Sequence, residues 1–373
     1  MEEAIRPLSG DERAYLDLLA HVPGLGAGGI RKIYEHFPGE DVLLREQSQL
    51  QLLEGIGEKR AAAILETLQN AGRIRKGFEK LEERGIRMVT WLDAEYPERL
   101  RRIPGPPAVL YVIGRLPDPG RPAAAIVGSR GASNYGMKMA EFFGEALAAE
   151  GVDIISGLAA GIDGCAHRGA MKAAGGRTYA VLGGGVNICY PKEHFSLYES
   201  MGRGGRGGLL SETVPDMQPL RQNFPMRNRI ISGLADAVLV MEAREKSGSL
   251  ITADHALEQN REVMALPGRI TDPMSRGCNR LIDMGAKILI SPDDVMECLG
   301  MLRTGTLKLS EKNLNLLAKK EKLVYGCVDF QPKYAQEIAR ETGLPAGELM
   351  SILLNLELKG YIRQISASYY GAT

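Results

Sequence analysis

The sequence of 373 residues predicts an α/β protein built around a doubly wound, mostly parallel sheet. Between residues 119 and 302, about six or seven short apolar runs alternate with segments of helical period, a pattern typical of strand–helix–strand units. Most of these runs end in loops rich in Gly, Ser and Arg. Doubly wound sheets bind ligands beyond the carboxyl ends of their strands, so these loops are the first candidates for a functional site.

The first two predicted strands are followed by the most informative loops. An apolar run at Ala123–Val127 ends in Gly128-Ser129-Arg130-Gly131, and a segment of helical period follows at Tyr135–Ala149. A second run at Val152–Ile155 ends in Ser156-Gly157. Glycine lets backbone N–H groups approach an anion, and helix N-termini carry partial positive charge. We therefore expect both loops to bind phosphate, through Gly128, Ser129, Ser156 and Gly157.

The remaining core elements are predicted from short apolar runs between loops that contain glycine or proline. Further strands are expected at Arg177–Leu182, Gly208–Ser211, Ala237–Met241, Val263–Leu266 and Ile288–Ile290. Two of the intervening helices are expected at Met226–Leu234 and Ile251–Asn260. We place the boundaries of this core at residues 119–302.

The region before the core is expected to be helical. Residues 1–75 contain two Gly-x-Gly turns, at 22–26 and 53–57, and each is followed by a predicted helix. This arrangement is typical of SAM or helix–hairpin–helix domains, in which hairpin N–H groups bind nucleic-acid phosphates without reading sequence. The alternative, that the glycines only make tight helix–helix turns, stays open. Residues 76–118 are expected to form an ordered extension that joins this domain to the core.

Residues 303–373 are expected to form a winged-helix-like domain with three helices and a terminal strand pair. Its helices are predicted at Leu314–Tyr325, Tyr334–Thr342 and Ala346–Leu358. The third helix would enter a DNA groove, yet it is acidic and apolar, and Lys359 is the only base near it. The pattern favours packing or partner binding over sequence-specific DNA readout by a regulator.

Composition limits the other possibilities. The 46 basic and 46 acidic residues cancel, so any nucleic acid must be bound by a local basic patch. The five cysteines have no CxxC spacing, which indicates a reducing compartment with neither disulfides nor zinc. Cys165, His167, Cys189 and His194 also lack metal-ligand spacing, so we expect no metal and no cofactor. Without a long apolar run or a signal-peptide pattern, we expect a cytoplasmic protein with no membrane partner.

Arg130 is the leading candidate for a phosphate ligand. The loop around it is not G-x-G-x-x-G and the next strand lacks the acidic residue that holds a ribose, so a nicotinamide site is rejected. No GxxxxGK[ST] motif occurs either. A guanidinium at a strand end can hold a phosphate with two hydrogen bonds. The alternative is a structural ion pair between Arg130 and Asp163.

A second basic stretch, Phe224–Arg229, contains Arg227, Asn228 and Arg229 and, with Lys192 and Arg221, could surround the same pocket. Basic residues interleaved with Phe224 and Tyr190 suit single-stranded nucleic acid, because bases stack on rings while the backbone follows the charge. Both aromatic residues could instead belong to the core.

Ser247 and Ser249 could bind an anion at a helix start, or Ser249 could be only the helix N-cap. Glu212 and Glu242 follow strands and could act as acid–base residues of a nucleotide-processing hydrolase. The preferred interpretation is that these carboxylates hold the arginines, and we expect no catalytic residue.

Six motifs in order closely resemble the bacterial DNA-processing protein A (DprA/Smf) family over roughly residues 95–300. They are IVGSR, SGLAAGID-x-x-AH, a triple glycine followed by YP, GLLSE, FPMRNRIISGLA, and EA-x-x-x-SGSLITADHA with a following ALPG. The resemblance implies an extended Rossmann-like core and a binding protein rather than an enzyme. Members of this family bind and protect single-stranded DNA and help load the RecA recombinase in natural transformation.

The resemblance also implies where the DNA and partner sites lie. The DNA pocket would use Arg130, the loop Ser156-Gly157 and Lys192, with Arg227 and Arg229 nearby. His194 stands where the YP motif usually has Asn. The family commonly forms a homodimer through its core, and we place the dimer and recombinase surface around Leu281, Ile282 and Ile288.

Overall fold

A computed structural model describes residues 5–301, 317–328 and 332–372. The chain divides into two compact units, each considered separately below. The larger unit comprises residues 1–132 and 139–302, and the smaller one includes the described part of residues 303–373. Among the described residues, no helix combines the length and the hydropathy needed to cross a bilayer.

The larger unit is organised around one nine-stranded sheet. Its strands are β1 (Arg87–Thr90), β2 (Val109–Gly114), β3 (Ala123–Val127), β4 (Asp153–Ser156), β5 (Thr178–Val181), β6 (Gly207–Ser211), β7 (Ala237–Val240), β8 (Glu262–Ala265) and β9 (Lys287–Ile288). The spatial order is β1-β2-β6-β5-β4-β3-β7-β8-β9. From β6 to β9 every pairing is parallel, whereas β1 and β2 pair antiparallel and β2 joins β6 antiparallel.

The strand order makes β3 the central strand of the parallel part of the sheet. The chain winds outward from β3 through β4 and β5 to β6, and then returns to the other side of β3 with β7. All five residues of β3 are buried, as expected for a parallel strand covered on both faces. The reversal between β3 and β7 is a topological switch point, which opens a crevice at the carboxyl edge of the sheet.

Helices cover this sheet. Those in and after its parallel part are α7 (Asn134–Ala149), α8 (Ile162–Lys172), α9 (Phe195–Arg203), α10 (Asn223–Leu234), α11 (Gly248–Glu258), α12 (Arg276–Asp283) and α13 (Pro292–Cys298). Helix α8 packs on β3, β4 and β5, and α10 crosses the same three strands before packing along α11. Since parallel crossovers are right-handed, the change of winding direction at β3 places helices on both faces.

The N-terminal part of this unit is helical. It contains α1 (Gly10–Ala20), α2 (Gly26–His36), α3 (Glu40–Arg45), α4 (Glu58–Gln69) and α5 (Ala71–Glu79), and α6 (Glu98–Arg101) follows β1. The first glycine of each predicted Gly-x-Gly turn, Gly24 and Gly55, has a positive φ of 71° and 83°. This left-handed backbone conformation favours glycine. The first turn leads directly into α2 and the second into α4.

The smaller unit has the winged-helix order. Helices α14 (Lys319–Gly326), α15 (Ala335–Thr342) and α16 (Ala346–Leu358) combine with a three-stranded sheet of β10 (Lys333–Tyr334), β11 (Ile362–Ser366) and β12 (Tyr369–Ala372). The predicted start of its first helix at Leu314 lies outside the described residues. On α16, Met350, Leu354 and Leu358 are exposed, and Lys359 donates to Glu321 at 2.7 Å.

The predicted fold class is confirmed, because the sheet is mostly parallel and doubly wound. In sequence, a helical region precedes the sheet and a winged helix follows it. The antiparallel pair β1–β2 extends the sheet beyond the predicted parallel part. One apolar cluster includes residues from Tyr15 in α1 to Leu281 in α12, so the N-terminal helices and the sheet share a core. The finer boundaries at residues 75, 118 and 302 stay a proposal.

Candidate functional site

A cleft of about 290 Å³ opens at the carboxyl edge of the sheet, at the switch point between β3 and β7. Four separate parts of the chain line it: the loop after β3, the start of α8, the helix α10 and the start of α11. These are the loops that the sequence singled out. The cleft therefore joins motifs that lie far apart in the chain.

One cation and two rings lie in contact at the outer edge of the cleft and are here called the rim: Arg130 and Phe224, which line the cleft, and Tyr190 beside them. The Arg130 guanidinium carbon lies 4.9 Å from the centroid of the Phe224 ring. The Tyr190 ring follows at 6.0 Å between centroids, tilted by 41°. Arg130 is exposed and Tyr190 is 49% exposed, so Tyr190 is not a core residue. In the described part of the chain Arg130 makes no ion pair, so the alternative pairing with Asp163 is not formed, although the charge of Arg130 opposes the rise in the pKa of Asp163.

Two further cations flank the rim in sequence. Lys192 lies two residues after Tyr190, in a short 3-10 turn at residues 192–194, and Arg221 lies just before α10. Both side chains are exposed. Neither has an ion-pair partner among residues 5–301 and the other described segments. The rim and its surroundings thus present positive charge that the protein itself does not neutralise.

The inner wall of the cleft, here called the floor, is formed by Arg227 and Asp163. Arg227 is only 7% exposed, and its Nη1 donates to the Gly157 carbonyl at 2.8 Å and to the Val181 carbonyl. Burial lowers the pKa of Arg227 to about 10, although the charge of Asp163 opposes that shift. Burial raises the pKa of Asp163, which accepts hydrogen bonds from the Gly157 and Ala159 N–H groups at 3.1 and 3.4 Å.

The predicted phosphate donors of the second strand loop are used inside the protein. The Ser156 hydroxyl is buried and donates to the Ile126 carbonyl at 2.6 Å, while the Gly157 N–H donates to Asp163. A Cβ at Gly157 would lie 2.4 Å from Arg227 Nη1, so this glycine makes room for the guanidinium rather than for an anion. Both predicted donors therefore have internal partners, and their contact with phosphate stays a prediction.

The first strand loop is likewise tied to its neighbours. The Ser129 N–H donates to the Glu242 carbonyl at 2.8 Å. A Cβ at Gly128 would lie 2.5 Å from the Ile162 side chain, so Gly128 permits close packing against α8. Of the residues predicted in this loop, Arg130 is the one whose side chain reaches the cleft, and among the described residues it has no ion-pair partner.

The two arginines of the RNR motif face different surroundings, as their spacing on one helix predicts. Arg229 donates through Nη2 to both carboxylate oxygens of Glu212, at 2.7 and 2.6 Å. Glu212 therefore holds an arginine, as predicted, and the position of Arg229 near a DNA ligand stays a prediction. Glu242 is buried. Between the arginines, the Asn228 amide donates to the Gly248 carbonyl at 3.2 Å and links α10 to the start of α11.

Ser247, not Ser249, is the N-cap of α11. Its hydroxyl accepts from the Ser249 N–H at 3.4 Å and lies 2.8 Å from the Ser249 hydroxyl. Both serines nevertheless line the cleft, so they contribute polar atoms to its wall. Their predicted contact with phosphate stays a prediction.

Both histidines among the candidate metal ligands lie close to polar atoms inside the protein. His194 is buried with Nδ1 2.9 Å from the Leu158 carbonyl, and His167 Nδ1 lies 2.7 Å from the Thr178 hydroxyl. Within the described ranges, no three His, Cys, Asp or Glu side chains come together in a way that could hold a metal.

The predicted partner surface is only partly exposed. Ile288 on β9 is 47% exposed, and Ile282 is partly buried against the core. Leu281 is 8% exposed and packs in the core, and its predicted place in a partner surface stays a prediction. The neighbouring Met284 and Ile290 are more exposed, at 69% and 74%.

Sequence reasoning did not foresee the contact between Arg130 and Phe224, or the role of Asp163 as acceptor for two backbone N–H groups. The stacking joins two distant loops and depends on the strand order, for which no local pattern exists. A signal for Asp163 was present, since an acid in the first turn of a helix can accept from nearby N–H groups.

Comparison with known proteins places the chain in a family. A family model described as DNA recombination-mediator protein A matches residues 87–300, and one described as DprA winged helix domain matches residues 311–367. Protein Smf of Escherichia coli K12 is 38% identical over 317 residues, covering 81% of this chain and 84% of that protein.

Two solved structures are similar to the chain. DNA processing protein A from Streptococcus pneumoniae is 36% identical with a TM-score of 0.66, covering 78% of this chain and 98% of that one. A structure describing the single-stranded DNA binding mode of DNA processing protein A from Helicobacter pylori is 26% identical with a TM-score of 0.51, covering 57% of this chain and 95% of that one. The chain therefore belongs to the DNA-processing protein A (DprA/Smf) family.

Proposed function

We propose that this protein binds single-stranded DNA along the rim of the cleft, with phosphates on Arg130 and Lys192 and bases on Phe224 and Tyr190. The observation that carries the proposal is the rim itself. An exposed arginine without an ion-pair partner lies 4.9 Å from one ring, and a second, half-exposed ring lies beside it at a tilt of 41°. Alternating charge and aromatic faces match the alternation of phosphate and base in a single strand.

The same geometry favours single strands over duplexes. In a duplex the faces of the bases are stacked on one another and unavailable to side chains, so only the phosphates could contact the rim. The family supports the proposal as well, because the related Helicobacter pylori protein is described in a single-stranded DNA binding mode.

The test is a fluorescence anisotropy titration with a labelled single-stranded oligonucleotide and its duplex at two salt concentrations. We expect the single strand to bind more tightly and its affinity to fall steeply with salt, as counterions are released. Arg130→Ala should weaken binding by about tenfold or more, because one charge-assisted phosphate contact and its ring stacking are lost. Arg203→Ala is the control, since Arg203 is an exposed arginine that pairs with Glu199 on α9.

Folding of each variant is checked by its far-UV circular dichroism and its thermal midpoint. An Arg130→Ala protein that folds normally and keeps the wild-type titration curve would refute the proposal, as would equal affinity for the duplex. The same samples test the alternative of a hydrolase using Glu212 or Glu242: release of base or phosphate from a panel of nucleotides would support that activity.

We further propose that the protein acts in the cytoplasm as a homodimer that protects incoming DNA and assists loading of RecA in transformation. Family membership supports this role, and the exposed apolar residues Ile288, Ile290 and Met284 beside the edge strand suit a protein–protein contact. Ile288→Asp should convert a dimer into a monomer in analytical ultracentrifugation.

Loading of RecA is measured separately, as the lag before filament assembly on a single strand coated with its binding protein. We expect the wild type to shorten the lag and the Arg130→Ala variant to shorten it much less. A wild type that sediments as a monomer, or that leaves the lag unchanged, would contradict this part of the proposal.

A further inference from the structure

We propose that the larger unit carries a second binding site, which takes the carboxylate of an acidic peptide segment from a partner protein. The site is a cavity of about 240 Å³. Three arginines share its lining with one glutamate and four apolar residues: Arg99, Arg102, Arg261, Glu98, Pro97, Pro117, Pro119 and Leu234. None of these residues belongs to the cleft described above.

The cavity lies at the other end of the central strand. Asp236, which binds the lining residue Arg99, accepts the N–H of Ala123 at 2.9 Å, and Ala123 is the first residue of β3. Arg130 lies three residues after Val127, the last residue of the same strand. A strand of five residues spans about 17 Å, so one ligand group cannot contact both places.

The charges around the cavity do not balance. Arg99 makes two hydrogen bonds of 2.8 Å to the Asp236 carboxylate. Glu98 is shared between Arg101 at 3.4 Å and Arg102 at 3.0 Å. The three arginines that line the cavity, Arg99, Arg102 and Arg261, thus face two carboxylates, Glu98 and Asp236, in the described part of this region. The surplus is positive.

Arg261 is the residue with the least satisfied guanidinium. Its Nη2 reaches only two carbonyl oxygens, those of Arg99 and Gly233, each at the long distance of 3.3 Å. Its Nε is buried and has no hydrogen-bond partner among the described atoms. A planar anion in the cavity would give Nη2 shorter, charge-assisted hydrogen bonds and would neutralise the surplus charge. Burial also lowers the pKa of Arg261, a shift that a bound anion would reverse.

The apolar part of the lining indicates which anion fits. Three prolines and Leu234 offer aliphatic contacts, and none of the residues that line this cavity is aromatic. A nucleotide or a single strand would lack a ring on which to stack a base. A carboxylate beside an aliphatic side chain uses both halves of the cavity, so an acidic peptide segment is the better occupant than a nucleic acid.

The test uses a fluorescein-labelled hexapeptide that contains two aspartates followed by leucines and ends in a free carboxylate. We expect saturable binding in anisotropy titrations of the full-length protein. Arg102→Ala and Arg261→Met should each weaken binding by at least about fivefold, in line with loss of one charge-assisted hydrogen bond. Arg203→Ala is the matched control, because Arg102 and Arg203 are both exposed and both pair with a glutamate four residues earlier.

Arg102 is 76% exposed in its side chain, so Arg102→Ala should fold even where the half-buried Arg261 does not tolerate change. Each variant should retain its affinity for single-stranded DNA. The proposal is overturned if no saturable binding occurs up to about 1 mM peptide. It is also overturned if a peptide with asparagines and a C-terminal amide binds equally, or if an unlabelled oligonucleotide displaces the peptide from the Arg130→Ala protein.

Discussion

The rim and the floor of the cleft each place an arginine beside Phe224, in two different states. Arg130 lies 4.9 Å from the ring and is exposed, whereas Arg227 lies 5.9 Å from it and is 7% exposed. The buried guanidinium donates to two backbone carbonyls, and the exposed one has no ion pair within the described residues. The two arginines therefore differ in exposure and in the hydrogen bonds of their terminal nitrogens, although Arg227 Nε is also buried without a hydrogen-bond partner among the described atoms.

The floor is also built for its arginine. Gly157 has no side chain where the Arg227 guanidinium lies, and its carbonyl and that of Val181 accept from the same nitrogen. These two residues follow or end the neighbouring strands β4 and β5. Arg227 thereby ties α10 to the carboxyl edge of the sheet, which is a structural task.

The largest effect should come from the floor. Arg227→Met removes a cation whose charge favours the ionised form of Asp163, and it leaves two carbonyls without their donor. Each buried acceptor left unsatisfied costs about 1–3 kcal/mol, so we expect the free energy of unfolding to fall by about 3 kcal/mol. Urea unfolding followed by circular dichroism measures it.

Arg130→Met is the matched control for that experiment and should change the free energy of unfolding by less than about 0.5 kcal/mol, as at an ordinary surface position. Equal losses in the two variants would remove the distinction between rim and floor.

The next effect concerns the rim. Phe224→Leu should weaken binding of a single strand by roughly tenfold, since one base–ring stack contributes about 1–3 kcal/mol. Phe224→Tyr keeps the ring and should bind like the wild type in the same anisotropy titration. If both variants bind alike, base stacking has no part in recognition.

His167 on α8 is buried in the layer beneath the floor. The Thr178 hydroxyl donates to Ile154, so His167 must donate to it through Nδ1, and His167 Nε2 has no partner in the described structure. Burial, helped by the charges of His194 and Arg227, lowers the pKa of His167 to about 3. The folded protein therefore keeps this histidine neutral where the unfolded chain takes up a proton.

The lowered pKa of His167 makes the folded protein less stable as the pH falls. As pH falls below about 6.5, the unfolded chain binds the proton first, and the wild type loses up to about 1.4 kcal/mol of stability per pH unit until the folded pKa is reached. His167→Gln should show a shallower loss between pH 7 and pH 5 in urea unfolding. Parallel pH profiles for the two proteins would show that His167 does not titrate in this way.

The smallest effect is expected at Lys192, which is exposed and in contact with solvent. Lys192→Ala should lower affinity for a single strand only a few-fold, and should reduce the slope of log affinity against log salt by about 0.7. A titration series at four salt concentrations gives the slope. An unchanged slope would place Lys192 away from the phosphates.

Local patterns predicted most of the fold. The strand Ala123–Val127 and the helix Ala346–Leu358 have the predicted bounds, because apolar runs and helical periodicity are properties of a short segment. The antiparallel joining of β2 to β6 is different in kind, since it pairs residues far apart in sequence and depends on how the whole sheet closes.

The site was predicted less completely for a similar reason. The sequence identified Arg130, Phe224 and Tyr190, but which of Arg227 and Arg229 would be satisfied by carbonyls and which by Glu212 depends on the rotation of α10. Leu281 shows the same limit: periodicity marks an apolar face without saying whether a core or a partner covers it.

The stacking of Arg130 on Phe224 also has a consequence for the speed of binding. The guanidinium and the ring are in contact in the ligand-free protein, so their rotamers are largely fixed during folding and not at the moment of encounter. Association can then proceed without a preceding rearrangement, at a rate set by diffusion and electrostatic steering. Differences in affinity between strands would then be expressed mainly in how long each strand stays bound.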